Sequence, residues 1–164
     1  MALFTLVHVV ISLIGIITGL VVVGGLLSGK RLDGWTGLFL LTTIVTNLTG
    51  YGFPVDRVLP SHIVGAISLV ALAIACVARY GYHLAGGWRR TYVITAVVSL
   101  YLNVFVLIVQ TFAKVPALRE LAPTQSEPSF AISQLIVLAM FVVLGYRAVV
   151  SFRESPAAPV RQYL

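Results

Sequence analysis

From Leu3 to Leu27 the chain runs twenty-five residues without an Asp, Glu, Lys or Arg. A helix rises about 1.5 Å per residue, so this run is long enough to cross the roughly 30 Å hydrocarbon core of a bilayer. Lipid offers the backbone no hydrogen-bond partners, and a helix is the one single-segment structure that satisfies its own N–H and C=O groups. Four further apolar stretches follow at 35–50, 62–82, 92–113 and 130–150, separated by turns rich in Gly, Pro and charge. The pattern predicts an all-α membrane bundle of five transmembrane helices.

Five crossings consume nearly all of the 164 residues. We therefore expect one domain over residues 1–152 and a short, Pro-bearing, mobile tail over 153–164. Only 10% of residues are charged, against about 25% in soluble domains. The first stretch lacks a basic leader and exceeds the roughly 7–15 apolar residues of a signal peptide, so it reads as a permanent helix. The net charge of +6 does not point to nucleic acid, because the basic residues are scattered at helix ends. The bilayer is the partner they suggest. A lone cysteine, Cys76, allows neither an intrachain disulfide nor a Cys-based metal cluster.

Lys and Arg are retained on the cytoplasmic side of membrane proteins. Lys30, Arg31, Arg79, Arg89, Arg90, Arg147, Arg153 and Arg161 fall on one side of the predicted bundle, against Arg57, Lys114 and Arg119 on the other. The count predicts the N-terminus outside and the C-terminus in the cytoplasm. Trp35, Trp88, Tyr51, Tyr80, Tyr82 and Tyr92 lie at predicted boundaries, where amphipathic rings anchor helices at headgroup level, and Arg79 is placed to snorkel to the cytoplasmic interface.

Polar groups inside spans are costly and normally face the bundle interior, where they serve packing or a pathway. In the first helix Ser12, Gly15 and Gly19 form a small-residue packing face below His8, and Gly65 repeats the theme below His62 in the third. In the fourth helix Thr95, Ser99, Asn103, Gln110 and Lys114 recur at helical spacing and form a polar seam. Near the outer ends of the five helices lie His8, Asn47, His62, Gln110 and Gln134, one polar side chain each. This layer is the candidate ligand-binding site. Two neutral imidazoles at one level, His8 and His62, could ligate a metal or the iron of a haem b.

The run Thr49-Gly50-Tyr51-Gly52 resembles a potassium filter, but Leu48 occupies the filter's threonine position and the loop from the first helix falls on the wrong side, so it reads as a turn ending the second helix. The segment Lys114 to Ser129, with three prolines, reads as an ordered cap or flexible strap over the bundle mouth. No P-loop, GxGxxG, GxSxG or HExxH motif is present, and no carboxylate lies within any predicted span. The residues lean away from an enzyme.

The run Tyr101-Leu102-Asn103-Val104-Phe105, continuing through Val109 to Pro116 and Ala122 to Pro128, together with Pro60-Ser61-His62, resembles a small group of bacterial inner-membrane proteins with no assigned activity. The resemblance implies a multi-pass location in the bacterial cytoplasmic membrane. The five-helix plan is also similar to that of the tryptophan-rich sensory proteins that bind porphyrins, whose Trp and Pro-rich signature this chain lacks. Three functions fit the residues: a ligand-binding or redox-accessory subunit holding a haem, metal or quinone-like molecule; a homo-oligomeric channel or small-solute carrier using the polar seam; and a structural subunit of a larger membrane complex.

Overall fold

A computed structural model describes residues 2–53 and 60–153. Arg57 and Arg161, used above for topology, lie outside the described residues. Six helices and no strand are found among the described residues: α1 Ala2–Leu27, α2 Asp33–Gly50, α3 Pro60–Cys76, α4 Trp88–Lys114, α5 Pro116–Leu121 and α6 Pro128–Ser151. A π-helical turn, Val77–Gly81, continues α3. Four of the helices are long and apolar enough to cross a membrane: α1, α3 with its π turn, α4 and α6. The second apolar stretch forms the shorter, threonine-rich α2.

Local chemistry sets the ends. Gly29 adopts a left-handed φ of 66° and the Lys30 N–H reaches back to the Gly25 carbonyl at 2.8 Å, closing α1. Asp33 opens α2 in its first turn, where a negative charge suits the exposed N–H groups. At the other end of α2, Gly50 to Gly52 form the expected turn, with the Gly52 N–H on the Thr49 carbonyl at 3.0 Å. Pro116 forces Val115 into an extended conformation and stops α4.

The helices form a ring in the order α1, α2, α3, α4, α6, with α1 and α4 in direct contact across it. The apolar core lies between α1, α2, α3 and α4, where Phe39, Leu72, Tyr92, Val93 and Leu100 are essentially sealed off. Helix α6 packs on α4 and α1 and buries only Gln134, Phe141 and Ala148. Leu135, Ile136, Val142, Val143 and Tyr146 face outward, a distribution that suits lipid rather than water.

The small-residue face of α1 is used within the chain. A Cβ on Gly15 would stand 3.1 Å from Thr43 Oγ1, and one on Gly19 would stand 2.6 Å from Leu100 Cδ1 and 2.8 Å from the Phe39 ring. Gly65 likewise admits the Tyr51 hydroxyl and Asn47. Two readings are corrected. Arg79 does not snorkel outward: the π turn rotates it inward, where it is 3% exposed, bonds to Asp33 Oδ1 and lies over the rings of Tyr80 and Tyr92. Tyr92 is no interfacial anchor, being fully buried with its hydroxyl on Thr36. The buried stripe of α3 runs through Ser68, Ala71, Leu72 and Ala75. The strap contains a helix, α5, and folds onto α4 through Gln125 Nε2 on the Val109 carbonyl. Ser129 closes it against Leu121.

Candidate functional site

At the end of the bundle that carries the N-terminus of α1, helices α1 to α4 diverge around a cavity with two adjoining compartments. The deeper, of about 130 Å³, is lined among the described residues by polar groups of α2, α3 and α4, including Thr46, Asn47, His62, Ser68 and Asn103. The outer, of about 450 Å³, opens between α1 and α4 along Val9, Leu13, Val106 and Leu107, with Lys114 at its rim. His8, Gly50, Phe53, Ser61, His62, Val106 and Gln110 line both. No carboxylate lines either compartment among the described residues.

His8 is held by its neighbours. Its Nδ1 lies 2.8 Å from Thr49 Oγ1, and the Phe53 ring meets it edge-on with centroids 5.2 Å apart. The single hydroxyl proton of Thr49 is engaged by the Val45 carbonyl at 2.7 Å. Thr49 therefore accepts from His8, which places the imidazole proton on Nδ1 and leaves a lone pair on Nε2. The second imidazole is oriented by α2: Tyr51 donates to the His62 carbonyl at 2.7 Å, and the two rings stack at 5.3 Å and 17°.

Asn47 donates to the Thr43 carbonyl at 2.8 Å and to Ser68 Oγ at 3.2 Å, tying α2 to α3. Deeper, Ser12 donates to Asn103 Oδ1 at 3.3 Å. Among the described residues Thr43 Oγ1, Thr46 Oγ1, Asn103 Nδ2 and Gln134 Oε1 are sealed inside the bundle with no hydrogen-bond partner, the Asn103 amide nitrogen lying against Gly15. A buried polar group left unpaired costs about 1–3 kcal/mol, a cost carried by the packing of α1, α2, α4 and α6.

Of the five residues expected to form a layer, four share this cavity: His8, Asn47, His62 and Gln110. Gln134 does not join them. It lies on the α4–α6 seam, donating to the Phe105 carbonyl at 3.3 Å. Sequence reasoning grouped it by depth, and depth says nothing about which helices are neighbours. The same limit hid Thr46, which joins the lining of the deep compartment only once α2, α3 and α4 are set side by side. Among the described residues no three His, Cys, Asp or Glu side chains gather as metal ligands.

The polar seam of α4 divides. Thr95 and Ser99 return their hydroxyls to the Thr91 and Thr95 carbonyls at 2.8 Å each, a local use of the proton. Asn103, Gln110 and Lys114 line the cavity. Below the cavity Phe39 and Leu100 close against Gly19 and fill the bundle axis with hydrocarbon. Beyond this plug the polar groups resume with Thr36, Tyr92, Arg79 and Asp33. Of the strap residues only Lys114 and Val115 reach the cavity, so the strap is no lid over it. Comparison with family models, with characterised proteins and with solved structures finds no match.

Proposed function

We propose that the chain is a bacterial inner-membrane protein that binds a small organic molecule at the outer leaflet, as a ligand-binding or redox-accessory subunit. The observation that carries this reading is the cavity among α1 to α4, on which His8, Asn47, His62 and Gln110 converge. Its outer compartment is within the roughly 300–1,000 Å³ typical of ligand sites and is mostly apolar with a few convergent polar groups.

Five spans with the N-terminus outside and the C-terminus in the cytoplasm place this cavity in the outer leaflet. Lys30, Arg31, Arg79, Arg89, Arg90 and Arg153 cluster at or beyond the opposite helix ends, which supports that orientation. The 18 residues of α2 reach about 27 Å, slightly under the hydrocarbon thickness, and the helix is sandwiched between α1 and α3. The Phe39–Leu100 plug speaks against a channel through the bundle, and the occupation of Gly15 and Gly19 by α2 and α4 removes the surface on which a packing partner would have relied.

The test is native mass spectrometry with an absorbance scan and metal analysis on protein purified gently from its membrane. An organic molecule retained by the native chain and lost in Val106→Trp, which fills the cavity, is the expected result. A haem absorption band or stoichiometric metal lost in His8→Ala would instead make the imidazoles the ligands. An empty protein unaffected by Val106→Trp would refute the site.

A further inference from the structure

We propose that the α4–α6 seam, at the end of the bundle opposite the ligand cavity, binds an anionic phospholipid, its phosphate among Arg89, Arg90 and Arg153 and an acyl chain in the apolar groove that follows. This site shares no lining residue with the cavity among α1 to α4, so it stands whether or not that cavity holds a ligand.

Charge defines the head. The chain enters α4 through Gly86 and Gly87 and leaves α6 at Ser151, and the two helix ends meet around a cleft of about 400 Å³. Gly86, Arg89, Arg90, Val150, Phe152 and Arg153 line it. Arg89 is held in position, its guanidinium over the Phe152 ring at 5.2 Å and donating to the Arg153 carbonyl at 3.3 Å. Arg90 and Arg153 are exposed, and neither guanidinium has a partner among the described residues. Asp33, the carboxylate at this end among the described residues, is engaged by Arg31 and Arg79. Glu154, next in the chain, lies outside the described residues and is outnumbered by Arg89, Arg90, Arg147 and Arg153. The first turn of α4 adds the positive end of a 27-residue helix dipole. This surplus selects an anion, and the guanidinium fork suits the oxygens of a phosphate.

The groove defines the tail. Between the same two helices lies an apolar groove of about 230 Å³, walled by Val97, Val98, Tyr101, Val142, Gly145 and Tyr146. It begins at Ile94, about 6 Å along α4 from Arg90, and reaches Tyr101 at roughly 16 Å. The seam therefore runs from headgroup depth into hydrocarbon. A Cβ on Gly145 would meet only Val97 Cγ1, at 3.4 Å, so the missing side chain leaves room in the groove. Val142 and Tyr146 are 62% and 72% exposed, which opens the groove to lipid along its length. Basic pockets between spanning helices hold lipid headgroups in this manner. A free phosphate would fill the cleft and leave the groove, and an uncharged lipid would fill the groove and leave the arginines.

The experiment is native mass spectrometry of the full chain in detergent, titrated with dioleoylphosphatidylglycerol, dioleoylphosphatidylcholine and glycerophosphoglycerol. The two lipids share tails and differ in net charge, and the third probe is the anionic head without tails. Phosphatidylglycerol should bind at least tenfold tighter than phosphatidylcholine, with no measurable binding of the bare head at the same concentrations. Arg90→Gln and Arg153→Gln should each weaken phosphatidylglycerol about fivefold, the value of one basic residue beside an anionic headgroup. Arg147→Gln, at the same end but outside the cleft, should change it less than twofold. Gly145→Leu, which fills the groove, should weaken both lipids about tenfold. Should Gly145→Leu lower the thermal transition, the arginine variants and the bare head decide. Equal binding of the two lipids, unmoved by the arginine variants, would overturn the charge selection on which the site rests. Glycerophosphoglycerol binding as tightly as the lipid would make this a site for a free phosphate ester and overturn the lipid. Binding of none of the three would remove the site. The cavity at the other end is read separately, by Val106→Trp.

Discussion

Gly19 shows how much one hydrogen atom decides in this bundle. A methyl group there would overlap Leu100 and the Phe39 ring, and the aromatic ring has no flexible end to withdraw. Gly19→Ala is expected to lower stability by about 1–3 kcal/mol through overpacking, read as an earlier thermal transition in detergent. Gly24 is the control: nothing lies within 4 Å of its would-be methyl, so Gly24→Ala should be neutral or stabilising, given the helix preference for Ala of about 1 kcal/mol. Arg79 shows the same dependence on local geometry with a charge. Its guanidinium is tolerated inside because Asp33 takes its proton donors and two tyrosine faces cover its plane.

Among the elements, the join between α5 and α6 makes the pH-dependent contribution that is accessible to solvent. Desolvation pushes the Glu127 carboxyl up, but hydrogen bonds from the Thr124 hydroxyl and from the N–H groups of Thr124, Glu127 and Ser126 outweigh it and hold the group below its usual range. A carboxyl depressed in the folded state stabilises it above the unfolded pKa, and that contribution is lost as pH falls through the folded value. The amide resonances of Thr124 and Ser126 should titrate with a midpoint below the usual glutamate value of about 4.3, and Glu127→Gln should abolish the titration. The long helices themselves were readable from uninterrupted apolar runs and from Pro and Gly at their ends, to within a few residues. The π turn was not, because the run from Ala66 to Tyr80 looks the same whether its last turn closes on the fourth or the fifth residue. Only tertiary contact of Arg79 with Asp33 and Tyr92 tells the two apart. His8, Asn47, His62 and Gln110 could be grouped from helix depth alone, whereas the place of Thr46 and Ser68 in the lining required knowledge of neighbours.

For the molecule as a whole, the asymmetry of charge between the two ends is the feature most open to direct test. Alkaline phosphatase fused in the 116–127 strap should be active, being exported. The same reporter after Gly87, or after Arg153, should be inactive in the five-span arrangement. Activity at both ends of α2 would exclude α2 as a crossing and leave four spans. The core is compact between α1 and α4, while α6 lies on its flank with an apolar exterior, so lipid completes the packing on that side.

The hydrocarbon plug formed by Phe39 and Leu100 against Gly19 also governs traffic. A cavity with a sealed base has one door, so whatever enters it comes and goes at the same end of the bundle and finds no way through to the other.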